Sequence, residues 1–349
     1  MKKKKTSYQT TIGLDLGDRK HHVCVLGLDG EILQQTTICN SRLKLKSFFS
    51  NYPQSQVILE VGCHSPWISR YLKELGLKVI VANARKLRAI YQNERKSDSA
   101  DAQMLARIGR ADPKLLHPLE HRSESSQQHF LWIKSRDRLV RTRVEIINSI
   151  RFSLKSLGYA VSNPSAPTFL KRVQSEVPSK CLQAMEPLLR VVDQLNAEIK
   201  AIDRAIKTFT QEHYPEAVHL QQIPGVGPIT ALSFVLKVET TQRFKRLRDI
   251  GPFLGLTPRR DQSGNIDKQL SITKCGDGYL RRLLVSCSQY ILGAFGPPSE
   301  LRDFGLRLTE RGSRTAKKKA VVAVARKLAV LMLSLWKNNS TYQPYPTIA

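Results

Sequence analysis

Acidic residues are scarce in this chain. Its 349 residues carry 29 Asp and Glu against 56 Lys and Arg, a formal net charge of +27. Such an imbalance points to a polyanionic partner, either nucleic acid or an anionic membrane surface. Long apolar runs are missing too. The most apolar stretch, residues 320–336, is broken by Arg326 and Lys327, so nothing reads as a bilayer span. The Lys-rich start runs into polar Thr6-Ser7-Tyr8-Gln9 rather than the apolar core of a signal peptide, so the expectation is no membrane. Six cysteines, at 24, 39, 63, 181, 275 and 287, include no Cys-x-x-Cys pair and keep no ligand-like spacing to the eight histidines. They read as thiols of a reducing cytoplasm, and His21, His22 and His64 as ordinary polar or half-buried residues. A Walker-type phosphate loop is absent as well.

What the chain does have is a small set of acids in unusual places. Asp15 lies in the apolar run Thr11-Ile-Gly-Leu-Asp-Leu-Gly17, and Glu60 ends Gln56-Val-Ile-Leu-Glu60. Each is a lone carboxylate where a buried-looking strand meets a glycine. Ionised carboxylates taken out of water need a partner or a metal. Asp98 and Asp101 open an amphipathic helix three residues apart, and so share one face of it. Singly, each has a plain reading: Asp98 as a first-turn acid favoured by the helix dipole, Asp15 as a turn cap. Together, four carboxylates suit Mg2+, a hard cation that takes oxygen ligands, and a pair of ions ~4 Å apart serves phosphoryl transfer.

In order, residues 8–16, 20–28 and 31–38 read as strands, with Asp29-Gly30 a hairpin turn. Residues 43–49 read as helix, 56–61 as strand, 65–75 as helix, 77–82 as strand, and 84–91 and 97–108 as helices. This is the order of a ribonuclease H-like fold, a mixed sheet with helices around it. Residues 127–157 are helical, with Val140, Val144, Ile147, Ile150, Leu154 and Leu157 on one stripe and Arg136, Arg138, Arg141, Arg143 and Arg151 around it. The arginine excess favours phosphate contact over a merely solvated face. Residues 158–178 read as a linker. Beyond it, Leu188, Val192, Leu195, Ile199, Ile202, Ile206 and Phe209 form a coiled-coil seam, pairing within the chain or between subunits. Around Gly225-Val-Gly227 the chain resembles a helix-hairpin-helix, whose amides hold a DNA phosphate. Further basic groups follow at Arg259, Arg260, Arg281 and Arg282, with Arg259–Gly264 read as a loop and residues 311–319 as a basic loop before a last helix.

These pieces coincide with a known family. The motifs Gly13-Leu-Asp-Leu-Gly17, Leu59-Glu-Val-Gly62, Lys96-Ser-Asp-Ser-Ala-Asp-Ala102, Ile223-Pro-Gly-Val-Gly-Pro228 and Phe253-Leu-Gly-Leu-Thr-Pro-Arg259 with Gln262-Ser-Gly264 resemble, nearly end to end, a DEDD transposase of the insertion-sequence-110 family, in its insertion-sequence-1111 branch. The resemblance implies a RuvC-like nuclease domain at 1–115, a helical coiled-coil connector at 120–215 and a mainly helical transposase domain at 216–349. It implies Mg2+ on Asp15, Glu60, Asp98 and Asp101, and a serine that attacks the DNA backbone, which falls on Ser263. The loop reads Gln-Ser-Gly-Asn where Ser-Ser-Gly-Gly is commoner, and Ser271 lies close behind. Implied partners are donor and target DNA, a structured bridge RNA, and further copies of the chain as a dimer or tetramer, in the bacterial cytoplasm on the nucleoid. Two rivals remain: a structure-selective nuclease that uses water, and a non-catalytic nucleic-acid-binding protein. Joined strands separate the first rival, and Mg2+-dependent cleavage separates the second.

Overall fold

The protein is described by a computed structural model covering residues 9–87, 97–162, 165–264, 266–310 and 312–345. The chain divides at Glu124/Ser125 into two compact units.

The first unit is built on β1 (Thr10–Asp15), β2 (Lys20–Leu26), β3 (Ile32–Cys39), α1 (Arg42–Phe49), β4 (Ser55–Glu60), α2 (Ser65–Glu74), β5 (Lys78–Ala82) and α3 (Asp98–Ala111). Its five strands lie in the order β3-β2-β1-β4-β5. β1, β2 and β3 pair antiparallel, as a short meander must, whereas β1, β4 and β5 pair parallel, with helices crossing between them. Alternation along the central strands decides the layers. Ile12, Leu14, Val57 and Leu59 face a core with Leu45, Ile68 and Leu72 of α1 and α2. Ile58, Cys24 and Leu26 face the other way, toward Ala102, Leu105 and Ala106 of α3. Both faces of the sheet are therefore covered, and the near-continuous apolar runs of β1 and β4 follow from that. Of the expected 84–91 helix, residues 84–86 form a turn and residues 88–91 lie outside the described ones.

The second unit contains α4 (Glu124–Ser156, beginning at the boundary), α5 (Phe169–Glu176), α6 (Ser179–His213), α7 (Pro215–Leu220), α8 (Pro228–Val238), α9 (Ile250–Phe253), β6 (Pro258–Ser263), β7 (Ile266–Ile272), α10 (Gly278–Leu292), α11 (Glu300–Thr309) and α12 (Arg314–Asn338). α4 and α6 pair antiparallel within the chain: Arg136 reaches Asp203 and Arg143 reaches Asn196. α12 supplies the spine of the C-terminal core through Val324, Leu328, Met332 and Leu333.

Four local expectations change. The 158–178 linker contains α5, because Phe169, Val173 and Val177 repeat every four residues and bury against α4 and α6. The α6 seam uses Leu189 rather than Leu188, which is 37% exposed; Pro187 stands inside the helix at that point. The 259–264 stretch is not a loop: β6 pairs antiparallel with β7 as a hairpin exposed along nearly its whole length. The 311–319 loop is mostly helix, because the Ser313 hydroxyl caps α12 by accepting from the Ala316 amide at 3.0 Å.

Candidate active site

Register brings the acids together. β1 and β4 run parallel with Leu14 opposite Leu59, so Asp15 and Glu60 end neighbouring strands side by side. Asp15 shares its side of the sheet with Gly13, and Glu60 shares it with Ile58, which is the side covered by α3. α3 can lie this close because small residues meet small residues. A methyl group on Gly13 would collide with the carbonyl of Ala102 and the amide of Ala106, and one on Gly109 would collide with Ile58. The Gln56 side chain donates to the Gly109 carbonyl at 2.9 Å. Gly13 under Ala102 and Ala106, and Gln56 and Ile58 at Gly109, fix the direction: α3 runs antiparallel to β1 and β4. Its first turn, capped by Ser97 accepting from the Ala100 amide at 3.2 Å, therefore lies where those two strands end.

The electrostatics agree with the register. Burial, and then the charges of Asp98, Asp101 and Glu60 in that order, push the Asp15 carboxyl up from 3.8 to about 6. Three acids from two other elements thus act on the fourth. Among the described residues no three acid, His or Cys side chains stand close enough to hold an ion as placed. In kind, however, the donors fit a hard divalent cation: all four are carboxylates, and their mutual repulsion is what such a cation relieves.

Two histidines join this end of the sheet that their sequence context did not single out. His22 sits opposite Asp15 in the β1–β2 register, and its Nε2 lies 3.5 Å from Asp98 Oδ2. His64, in the turn after Glu60, has Nε2 3.0 Å from Asp18 Oδ1, while Trp67 donates its indole N–H to His64 Nδ1 at 3.3 Å. With Nδ1 accepting, a neutral His64 carries its proton on Nε2 and donates it to Asp18. Ser65 ties the same turn to Gly62 and His121, and burial, helped by Arg70, Lys73 and Arg122, pushes His121 down to about 4.

In the second unit Ser263 ends β6 at the exposed tip of the hairpin, in register with Ile266. Ser271 lies five residues further along β7, past a register shift between Pro258 and Arg260, on the side of the hairpin that Arg259 shares with Ser263. Arg260 makes a bidentate ion pair with Asp267, at 2.7 and 2.5 Å, and Arg259 donates to the Ser271 hydroxyl at 3.3 Å.

A DEDD transposase model of the IS110 type matches residues 12–158, the part of the chain that holds all four acids. A second, described as Transposase IS116/IS110/IS902 family, matches residues 217–302, which include the hairpin. The chain belongs to the IS110 transposase family. It is 28% identical over 285 residues to the transposase of insertion sequence element IS1328 from Yersinia enterocolitica, covering 80% of this chain and 83% of that one. To the IS1111A transposase of Coxiella burnetii it is 26% identical over 340 residues, 95% and 91% of the two chains. The pilin gene-inverting protein of Moraxella bovis matches at 29% over 133 residues, 37% of this chain and 40% of that one.

In this IS110-family chain the basic residues fall into two groups. Arg136 is held by Asp203 at 2.8 Å, Arg143 by Asn196 at 2.8 Å, and Arg281 by the carbonyls of Leu254 and Cys275 at 2.9 and 3.0 Å. These three make bonds within the protein that hold elements together. Arg138 and Arg141 are exposed on α4, and Arg282 reaches Asp137 on α4 at 2.9 Å. Gly225 takes φ of +88° with Tyr290 packed against it, while Gly227 caps α8 in open space. Among the described residues no helix is long and apolar enough to cross a membrane.

Proposed function

We propose that this insertion-sequence transposase cleaves and rejoins DNA by Mg2+-dependent phosphoryl transfer with Ser263 as the nucleophile. Convergence of Asp98, Asp101 and Glu60 on Asp15 carries the reading, because it gathers the acids that the sequence placed at strand ends and on one helix turn. The sheet order, with two parallel central strands that end in acids under a helix, supports a ribonuclease H-like, RuvC-like assignment for residues 1–115. Residues 120–215 act as connector and 216–349 as the transposase part, with the turn at Gly225 and Gly227 contacting DNA backbone.

Asp15, Glu60, Asp98 and Asp101 would hold the ion, which would supply Lewis-acid stabilisation of charge on the phosphoryl oxygens. The protein's own work is to orient and to move protons. Ser263 Oγ forms a bond to phosphorus as one bridging P–O bond of the strand breaks, and the serine proton ends on the released strand hydroxyl. One phosphodiester is exchanged for another, so the reverse attack by a different strand end rejoins DNA with no nucleotide cofactor. The name of the Moraxella bovis relative supports joining over plain nicking, since inverting a gene requires every cut strand to be resealed. A bridge RNA pairing with donor and target DNA would be a second polyanionic partner for a chain of net charge +27. Acids and serine act on one phosphate from one chain or from neighbours in a dimer or tetramer, in the cytoplasm on the nucleoid.

The test is a cleavage reaction quenched by denaturation and searched for a protein–DNA adduct by gel and peptide mass. An adduct at Ser263, absent from Ser263→Ala and retained in Ser271→Ala, is the expected result. An adduct mapping to Ser271 would overturn the assignment, and nicked DNA without any adduct would favour water as the nucleophile. Sequencing nucleic acid that co-purifies with the protein tests the bridge RNA.

A further inference from the structure

We infer that the hollow where α4 meets the start of α10, about 270 Å3 in volume, is a seat for one phosphate of a nucleic-acid strand. The inference rests on the nucleic-acid reading above and gives one phosphate a definite place within it. Lys134, Arg138 and Arg141 stand at i, i+4 and i+7 on α4, so all three share one helix face, and that face forms one wall. Lys237, Asp277 and Tyr279 are on the other side. The lining thus brings four cations against two carboxylates, Asp137 and Asp277, in a recess whose walls concentrate the field.

Both carboxylates are already engaged in holding cations in position. Asp137 accepts from Arg141 at 2.9 Å and from Arg282 at 2.9 Å, so one acid fixes guanidiniums from two helices. A guanidinium has five N–H donors, and sharing one carboxylate leaves donors on each for another acceptor. Lys237, its side chain only 10% exposed, has Nζ 2.5 Å from Asp277 and 3.8 Å from the centre of the Phe130 ring. That pairing accounts for Lys237 by itself. It does not account for three further cations turned to the same hollow. Arg282 also lies 5.0 Å over the Tyr279 ring. Burial pushes the Tyr279 phenol up to about 12, so its hydroxyl stays a neutral donor at working pH. Fixed guanidiniums, an ammonium and a phenol donor match the acceptor oxygens of a phosphodiester. Asp277 follows β7 by five residues, which places the seat near the base of the hairpin that carries Ser263. A strand held here is anchored close to where that hairpin begins.

The experiment uses the full chain and a labelled single-stranded oligonucleotide, with acetylation of lysines read by mass spectrometry as a position-specific probe. Lys134→Gln with Arg138→Gln is expected to raise Kd about tenfold at roughly 150 mM salt and to flatten the dependence of log K on log salt by about 0.7 for each phosphate that is no longer neutralised. In the wild type, the oligonucleotide should protect Lys134 from acetylation while exposed Lys180 reacts as before. Unchanged affinity and slope in the double variant, or no protection of Lys134 on a bound oligonucleotide, overturns the seat while leaving nucleic-acid binding intact. Protection by a polyglutamate peptide but not by the oligonucleotide would assign the hollow to an acidic protein and overturn it as well. A wild-type chain that binds no oligonucleotide at any salt brings down the proposed function along with it.

Discussion

Gly13→Ala is expected to cost about 1–3 kcal/mol or more and to abolish strand cleavage. The added methyl meets backbone atoms of Ala102 and Ala106, which cannot rotate away as a side-chain tip would. α3 must therefore lift from β1, and Asp98 and Asp101 at its first turn move away from Asp15 and Glu60. Ala102→Gly made in the same chain should not rescue it, since the obstacle is the carbonyl at 102 and not its methyl. A drop in thermal midpoint of several degrees, with cleavage lost in both single and double variants, is the expected readout. A Gly13→Ala protein that melts and cleaves like the wild type would mean that this helix packing does not set the site.

Asp15→Asn should separate stability from activity in the opposite direction. The Asp15 carboxyl is raised from 3.8 to about 6 in the folded chain, first by burial and then by its acidic neighbours. The folded state therefore holds a proton that the unfolded chain releases between about pH 4 and 6, so stability falls as pH rises through that window, and the full penalty remains above it. Asparagine keeps the size and loses the charge. In EDTA the variant should match the wild type near pH 4 and exceed it above pH 6, by roughly 1–2 kcal/mol once solvent screening of a half-exposed group is allowed for. Cleavage should be lost while nucleic-acid binding is kept, because a missing ligand costs chemistry more than contact area. Equal melting at pH 4 and pH 8 would remove the argument that the four carboxylates repel one another.

The parts of this arrangement that are local in sequence could be read without a structure. Asp15 and Glu60 stand out as single charges in apolar runs, and the spacing of Asp98 and Asp101 puts them on one helix face. The pairings that span long distances could not. His22 reads as an ordinary strand residue until register sets it opposite Asp15, beside an aspartate far along the chain. Arg136 and Arg143 look like phosphate ligands by charge alone, yet Asp203 and Asn196 engage them from the antiparallel helix. The β6–β7 hairpin leaves no mark in the sequence because Pro258–Ser263 is exposed throughout and offers no in–out alternation of apolar residues. In the segment 158–178 the prolines signal a linker more strongly than the short apolar repeat of Phe169, Val173 and Val177 signals the helix α5 that it forms.

The most direct measurement of the central claim follows a labelled double-stranded DNA that carries an element end, incubated with target DNA and the nucleic acid that co-purifies with the protein. Wild type and Asp98→Asn are compared in Mg2+ and in EDTA. The account predicts joined strands from the wild type in Mg2+ alone, and none from Asp98→Asn under either condition although it still binds the DNA. Joined products from Asp98→Asn in Mg2+, or from the wild type in EDTA, would contradict the assignment of these carboxylates as the metal-binding centre of strand transfer.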